Sequence, residues 1–261
     1  MKLLQRLSVL LCLCLASPLW AADQLISVPT DREKVDTSYW WMPRDGATAT
    51  LLLISGGGGG MGFKNGRPGS DNFLIRTRDL FAARGFNVAL LGLSSDMRML
   101  SQHARTTEEH ARDVLAVVKA LRAASPQPVW LVGTSRGTIS AVSAAILDQG
   151  QSVAGVVLTS GYAPDVLKLR DGPAGTQGVE AIRVPTLVYH HKDDGCRETP
   201  PAGVTGMVAA LVAAPIKKLQ MVEGGGSPYG DPCQPRGWHG YVGMEERAVE
   251  DITSWIRNPQ P

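Results

Sequence analysis

The segment Gly133-Thr134-Ser135-Arg136-Gly137 has the residue types and spacing best suited to chemistry. This G-x-S-x-G spacing is typical of a nucleophile elbow, in which a serine occupies a sharp turn between a strand and a helix. The apolar run at 129–132 indicates a buried strand, and the small and apolar residues of 138–145 indicate a helix packed closely on a sheet. We therefore expect Ser135 to be a nucleophile that forms a covalent acyl intermediate.

A serine hydroxyl becomes a strong nucleophile only when a base takes its proton, and that base needs an orienting carboxylate. His239 is the best candidate base, since it alone of the five histidines follows both the serine and the acid candidates. The acid is Asp194 or Asp193, because both directly follow a strand-like apolar run. We favour Asp194, because Gly195 after it allows a tight turn toward the base.

Five consecutive glycines at 56–60 follow another apolar run and provide backbone N–H groups that a substrate oxygen can approach closely. We expect an oxyanion hole in which Gly57 or Gly58 supplies one N–H and Arg136, the residue after the serine, supplies the other. The side chain of Arg136 is expected to form an ion pair on the helix surface, with a substrate anion as its alternative partner.

The glycine run also matches G-x-G-x-x-G at 57–62, a pattern of dinucleotide-binding proteins. Residues 63–68 do not open a helix as that motif requires, so we expect no cofactor. A metal site is a second alternative, built from side chains near the acid: His190, His191, Asp193, Asp194 and His239. Adjacent histidines on a strand point to opposite faces, so we expect no metal. The remaining histidines, His103 and His110, are expected to be solvated beside or on an exposed helix.

Residues 1–22 have the pattern of a secretory signal peptide. Lys2 and Arg6 precede an apolar core, and Ala21 and Ala22 end the segment with small residues. A membrane anchor is the alternative, but the apolar run is shorter than the roughly 18 residues that a span requires. A lipoprotein attached through Cys14 is less consistent with the residues before it. We expect a periplasmic or secreted protein whose mature chain, 23–261, is one domain.

Removal of Lys2 and Arg6 leaves equal numbers of basic and acidic residues. A neutral mature chain offers no electrostatic basis for binding nucleic acid or an anionic membrane surface, so we expect neither partner. Cys196 and Cys233 are the cysteines that remain after cleavage. An even pair in an oxidising compartment predicts a disulfide, with two buried free thiols as the alternative.

Strand-like and helix-like patterns alternate along 23–261 without internal repeats. Helices are predicted at 73–83, 107–123 and 245–257, and the pattern at 107–123 is the clearest. The apolar strands between them predict an α/β fold: a mostly parallel central sheet with helices on both faces. In such sheets the functional site lies at the carboxyl ends of the strands. Ser135, the glycine run and the two aspartates all follow predicted strands, so we expect them to share one edge.

With these motifs the chain resembles the α/β-hydrolase superfamily, in which serine, acid and histidine follow one another in this order on strand-to-loop junctions. The resemblance implies an enzyme that cleaves carboxylic esters of small-molecule acyl substrates through a Ser135–His239–Asp194 triad. Amides, peptides and thioesters are alternative substrates, and a non-catalytic binding protein is an alternative function. This chain has Ser55-Gly56 where many relatives have His-Gly, so the choice between Gly57 and Gly58 as the N–H donor stays open.

Segment 161–184 is short, whereas many relatives insert a cap there, so the resemblance implies a short or absent cap and an open pocket. Tyr162 either lines this pocket or belongs to an ordinary surface loop. We also expect a bond between Cys196 and Cys233 to tie the acid loop to the base loop.

Overall fold

The computed structural model describes residues 23–261, so the predicted signal peptide lies outside the described residues. The described chain contains twelve strands: β1 (Gln24–Pro29), β2 (Asp36–Met42), β3 (Thr50–Ile54), β4 (Phe63–Lys64), β5 (Arg67–Pro68), β6 (Asn87–Leu91), β7 (Val129–Thr134), β8 (Val153–Thr159), β9 (Lys168–Gly172), β10 (Gly175–Gly178), β11 (Thr186–His191) and β12 (Lys217–Val222).

Eight of these strands form one sheet in the order β1-β2-β6-β3-β7-β8-β11-β12. The first two pairings, β1 with β2 and β2 with β6, are antiparallel, and every later pairing is parallel. The carboxyl ends of β3, β7, β8 and β11 therefore meet at one edge of the sheet. The glycine run, Ser135 and Asp194 follow three of those strands.

Helices cover both faces of the sheet, and they are α1 (Phe73–Arg76), α2 (Arg78–Ala83), α3 (Glu108–Ala124), α4 (Gly137–Asp148), α5 (Pro201–Val204), α6 (Met207–Ala210) and α7 (Glu245–Arg257). Successive residues of a strand point to opposite faces. Leu52 and Ile54 of β3 accordingly join the core beneath α3 and α4. Leu51 and Leu53 join the core beneath α1, α2 and α7.

The structure departs from one of the predicted helices. The helix predicted at 73–83 is divided at Thr77, whose hydroxyl donates to the Phe73 carbonyl oxygen at 2.7 Å and competes with the helical hydrogen bonds. Segment 161–184 holds the hairpin of β9 and β10, which contacts α4, and Leu167 and Leu169 are fully buried in the core. This segment thus packs beside the sheet, in agreement with the predicted short or absent cap. Within 23–261, no helix has the length and apolarity needed to cross a membrane.

Candidate active site

Ser135 lies on the turn between β7 and α4 with a backbone φ of +52°. Left-handed backbone is strained for a residue other than glycine, and this strain is typical of a nucleophile elbow. A Cβ on Gly133 would lie 2.6 Å from the carbonyl oxygen of Gly137, and one on Gly137 would lie 2.1 Å from that of Ile54. Both positions therefore require glycine, because the turn presses the start of α4 against the end of β3.

His239 and Asp194 form the closest polar contact between the predicted site residues. His239 Nδ1 lies 2.8 Å from Asp194 Oδ2, and both side chains are buried. The other carboxylate oxygen, Oδ1, accepts the backbone N–H of Cys196 at 2.9 Å. The Asp193 side chain is 47 % exposed and its nearest imidazole contact is at 4.0 Å, to His191. The geometry thus pairs His239 with Asp194 and leaves Asp193 facing solvent.

Thr199 is a third member of this cluster that the sequence did not single out. Its Oγ1 lies 3.2 Å from His239 Nδ1 and 3.4 Å from Asp194 Oδ2. A threonine five residues after the acid has no distinguishing signal in a single sequence. Two turns after β11 bring it to the imidazole: the Asp194 N–H donates to the His191 carbonyl oxygen and the Thr199 N–H donates to that of Cys196, both at 3.1 Å.

Ser135 and His239 line the same pocket, which has a volume of about 360 Å³. Within residues 23–261 the Ser135 hydroxyl makes no hydrogen bond to the imidazole. Because Asp194 occupies Nδ1, Nε2 is the ring nitrogen left for a partner in the pocket. Ser135 and His239 thus line one cavity, and Asp194 contacts the imidazole of that histidine.

The glycine run forms a turn at the pocket wall, in which the Gly59 N–H donates to the Gly56 carbonyl oxygen at 3.1 Å. Gly57 takes a φ of +55°, which glycine adopts without strain. The N–H groups of Gly57, Gly58 and Arg136 donate no hydrogen bond to a described residue. All three predicted donors therefore remain available at the pocket.

The Arg136 side chain differs from the expected ion pair on the helix surface. Arg136 lines the pocket, and no described carboxylate pairs with its guanidinium. The residue precedes the first turn of α4, and that turn contains no acidic residue to pair with it. Tyr162 also lines this pocket, which agrees with the expectation that it would do so and not with the alternative of an ordinary surface loop.

A disulfide joins Cys196 to Cys233 across 37 residues of sequence. Both cysteines line the pocket. Cys196 follows Asp194 by two positions and Cys233 precedes His239 by six, so the bond connects the two loops that carry the imidazole–carboxylate pair. The expected connection between these loops is present.

The two histidines of β11 face different surroundings. His191 Nε2 lies 2.9 Å from the Gly224 carbonyl oxygen, and its ring stacks on Trp238 at 5.5 Å. His190 is fully buried, 3.5 Å from Asp194 Oδ2, and burial lowers its pKa to about 4. In the described part of the chain, no group of three or more His, Cys, Asp or Glu side chains is arranged to hold a metal.

A buried polar cluster lies behind the glycine turn. The fully buried Arg105 guanidinium donates to Ser140 Oγ at 2.8 Å, and the same hydroxyl lies 2.8 Å from His110 Nε2. His110 was expected to be solvated, but it is only 3 % exposed. It lies in the first turn of α3 on the side that contacts Ser140 of α4. Burial, followed by the Arg105 charge, lowers the pKa of His110 to about 3. His103 is exposed, as expected.

The eight-stranded, mostly parallel sheet and the elbow between β7 and α4 define the α/β-hydrolase fold, and Ser135, Asp194 and His239 follow β7, β11 and β12 in that order. The G-x-G-x-x-G pattern does not open a helix here, because the short hairpin of β4 and β5 follows it.

Solved structures share this fold at low sequence identity. A protein of unknown function from Agrobacterium tumefaciens, proposed to be an α/β hydrolase, is 15% identical with a TM-score of 0.61, covering 92% of this chain and 100% of that one. A serine hydrolase without a lid from Xanthomonas campestris is 16% identical with a TM-score of 0.56, covering 90% and 98%. An esterase domain from Rhodothermus marinus is 13% identical with a TM-score of 0.56, covering 90% and 98%. No family model and no curated protein sequence matches this chain.

Proposed function

We propose that this protein is a serine hydrolase that cleaves carboxylic esters through an acyl-enzyme intermediate. The observation that carries the proposal is the 2.8 Å contact between His239 Nδ1 and Asp194 Oδ2 in a pocket that Ser135 shares. A buried carboxylate on Nδ1 holds the imidazole in the tautomer that accepts a proton at Nε2. The fold shared with an esterase domain and a lidless serine hydrolase is consistent with this chemistry.

In the proposed reaction, Ser135 Oγ attacks the ester carbonyl carbon while His239 Nε2 takes the hydroxyl proton. The carbonyl oxygen gains negative charge and is stabilised by the N–H of Arg136 and that of Gly57 or Gly58. The C–O bond to the alcohol then breaks, and His239 gives its proton to the departing alkoxide. Water attacks the acyl-enzyme with the same histidine as base, which releases the acid and regenerates the serine.

Esters are favoured over peptides because no domain formed by residues 23–261 covers the pocket. Its volume of about 360 Å³ suits a small acyl group. An extended peptide would need a groove with backbone partners on both sides of the serine. The proposed substrate is therefore a small ester with a compact acyl group.

The test combines covalent labelling with turnover. A fluorophosphonate probe is expected to label the wild-type protein at the peptide containing Ser135, and nitrophenyl esters of short acyl chains are expected to be hydrolysed. Ser135→Ala is expected to lose both signals while its thermal unfolding midpoint stays close to wild type. A peptide and an amide assayed beside the esters decide between ester, peptide and amide cleavage.

Two results would contradict the proposal. Wild-type protein that is neither labelled nor active on esters, amides or thioesters would favour a binding protein with a hydrolase fold. Equal labelling of wild type and Ser135→Ala would place the reactive group elsewhere.

We also propose that the protein is exported and processed near residue 22. The disulfide between Cys196 and Cys233 supports an oxidising location. N-terminal sequencing of the protein from its native host is expected to begin close to Asp23. An N-terminus at Met1 in the cytosolic fraction would contradict export.

A further inference from the structure

Arg105 lies behind the glycine turn, in the short 3₁₀ turn that precedes α3, and its side chain is fully buried. The titratable side chains that lie near it are Arg136, Tyr162 and His110, and none is a carboxylate. Burial lowers the pKa of Arg105 to about 10, so the guanidinium stays charged at neutral pH. Burying a charge without a counterion is unfavourable, and a core built for stability alone would hold an apolar side chain here.

The guanidinium is held instead by neutral oxygens, two of which belong to the turn. Arg105 Nη2 donates to the carbonyl oxygens of Ser55 at 3.2 Å and Gly57 at 3.3 Å. Nη1 donates to Ser140 Oγ at 2.8 Å. A Cβ on Gly59 would lie 3.1 Å from Arg105 Nη2, so the turn packs directly on the guanidinium.

The Ser55 carbonyl shares its peptide group with the Gly56 N–H, and the Gly57 carbonyl shares its peptide group with the Gly58 N–H. No peptide bond in the described chain is cis, and in a trans peptide the N–H points opposite to the C=O. The N–H groups of Gly56 and Gly58 therefore point away from Arg105. A charged donor on a carbonyl also polarises its peptide group and strengthens the N–H as a donor.

We propose that Arg105 is a positioning residue for the oxyanion hole: its buried guanidinium fixes and polarises the Ser55–Gly56 and Gly57–Gly58 peptide groups so that their N–H groups serve the reacting oxygen. This inference rests on the proposed serine hydrolase function. It selects Gly58 over Gly57 as the donor from the middle of the glycine run. The backbone of Leu100 reinforces the arrangement, since its N–H donates to the Gly58 carbonyl oxygen at 2.8 Å.

The test uses Arg105→Met, Arg105→Lys and the matched control Ser143→Ala. Methionine fills the space without charge or N–H groups, whereas lysine keeps the charge but lacks the planar fork of donors. Ser143 Oγ donates to the backbone carbonyl oxygen of Arg105 at 2.8 Å, so its removal disturbs the same segment without touching the guanidinium contacts. Each variant is compared in thermal midpoint, kcat, KM and the rate of fluorophosphonate labelling.

Loss of one direct oxyanion donor costs about 100- to 1000-fold in kcat, and an indirect effect is smaller. We expect Arg105→Met to lower kcat and the labelling rate together by roughly 10- to 100-fold, with KM within about two-fold of wild type. Arg105→Lys is expected to lose less, and Ser143→Ala to keep wild-type kcat. A purely structural role would change the thermal midpoint without this selective loss of kcat.

The inference is overturned if a folded Arg105→Met keeps the kcat of Ser143→Ala, or if KM changes as much as kcat does. Should Arg105→Met not fold, Arg105→Lys decides, and wild-type kcat and labelling in that variant would overturn the inference. Failure of the proposed function looks different, because wild-type protein would then show no labelling at Ser135 at all.

Discussion

Ser160 Oγ donates a 2.8 Å hydrogen bond to the backbone carbonyl oxygen of His239, which joins the end of β8 to the turn that carries the imidazole. The Ser160 N–H donates to the Tyr241 hydroxyl at 3.0 Å, and that hydroxyl donates to the Tyr189 carbonyl oxygen at 2.8 Å. Ser160 and Tyr241 both have positive φ, at 44° and 58°. Two strained residues thus hold the His239 segment against the sheet edge.

Ser160→Ala is expected to lower kcat by about five-fold with little change in KM. The substitution removes one hydrogen bond worth about 1 kcal/mol, and that energy corresponds to about five-fold in rate if it serves to hold the imidazole. Steady-state kinetics on a nitrophenyl ester measures the effect. Unchanged kcat in Ser160→Ala would show that the turn is held without this bond.

Asp194→Asn is expected to lower kcat by several orders of magnitude, because the amide no longer selects the Nδ1–H tautomer of His239. Asp193→Asn is the matched control on the neighbouring residue. Its side chain is 47 % exposed and makes no contact with His239, so its kcat is expected to stay close to wild type. The reverse order of the two kcat values would assign the acid role to Asp193.

Gly56→Ala is expected to lower ester turnover by roughly 100-fold or more, because a displacement of about 1 Å in a reacting group costs on that order. The new Cβ would lie 2.8 Å from Ser135 Cβ and 2.9 Å from the Thr134 carbonyl oxygen. Gly60→Ala is the control from the same run, since a Cβ there has no neighbour within 4 Å. Equal kcat for the two variants would show that contact with the elbow does not control catalysis.

Removal of the disulfide is expected to reduce activity more than folding. The bond closes a segment of 37 residues, and such a loop contributes at most about 4 kcal/mol of stability in the chain-entropy model. Cys196→Ser/Cys233→Ser is compared with wild type in ester turnover and in the urea midpoint of unfolding. Parallel loss of activity and of native structure would indicate a general stabilising role, not one specific to the site.

The free energy of unfolding is expected to fall as the pH drops from about 6.5 toward 4. Burial lowers the pKa of His110 to about 3 and that of His190 to about 4. Both values lie below the ordinary histidine pKa of about 6.5, so in this window the unfolded chain binds protons that the folded chain does not. Urea titrations at several pH values measure the slope.

His110→Gln is expected to reduce this slope, because glutamine does not titrate. The exposed His103 provides the control, and His103→Gln is expected to leave the slope as in wild type. An unchanged slope in His110→Gln would show that His110 is not the source of the acid sensitivity.

Local patterns in the sequence were enough to predict the sheet, the elbow and the helices α3, α4 and α7. Helix α7 begins and ends where its apolar spacing indicated, at Glu245 and Arg257. Continuous apolar strands predicted a parallel sheet, because a strand buried on both faces tolerates few polar residues. The glycines at 133 and 137 predicted a close approach of backbones, and that approach is present.

Only the tertiary structure decided between residues that are equivalent in sequence. Asp193 and Asp194 follow the same strand, yet only Asp194 contacts an imidazole 45 positions away. Arg105, Thr199 and Ser160 carry no local signal, because each acts through a partner that the fold supplies from a distant segment. Periodicity and turn chemistry depend on near neighbours in the chain, whereas hydrogen bonds across the site depend on where separate strands end, and that is set by the packing of the whole sheet.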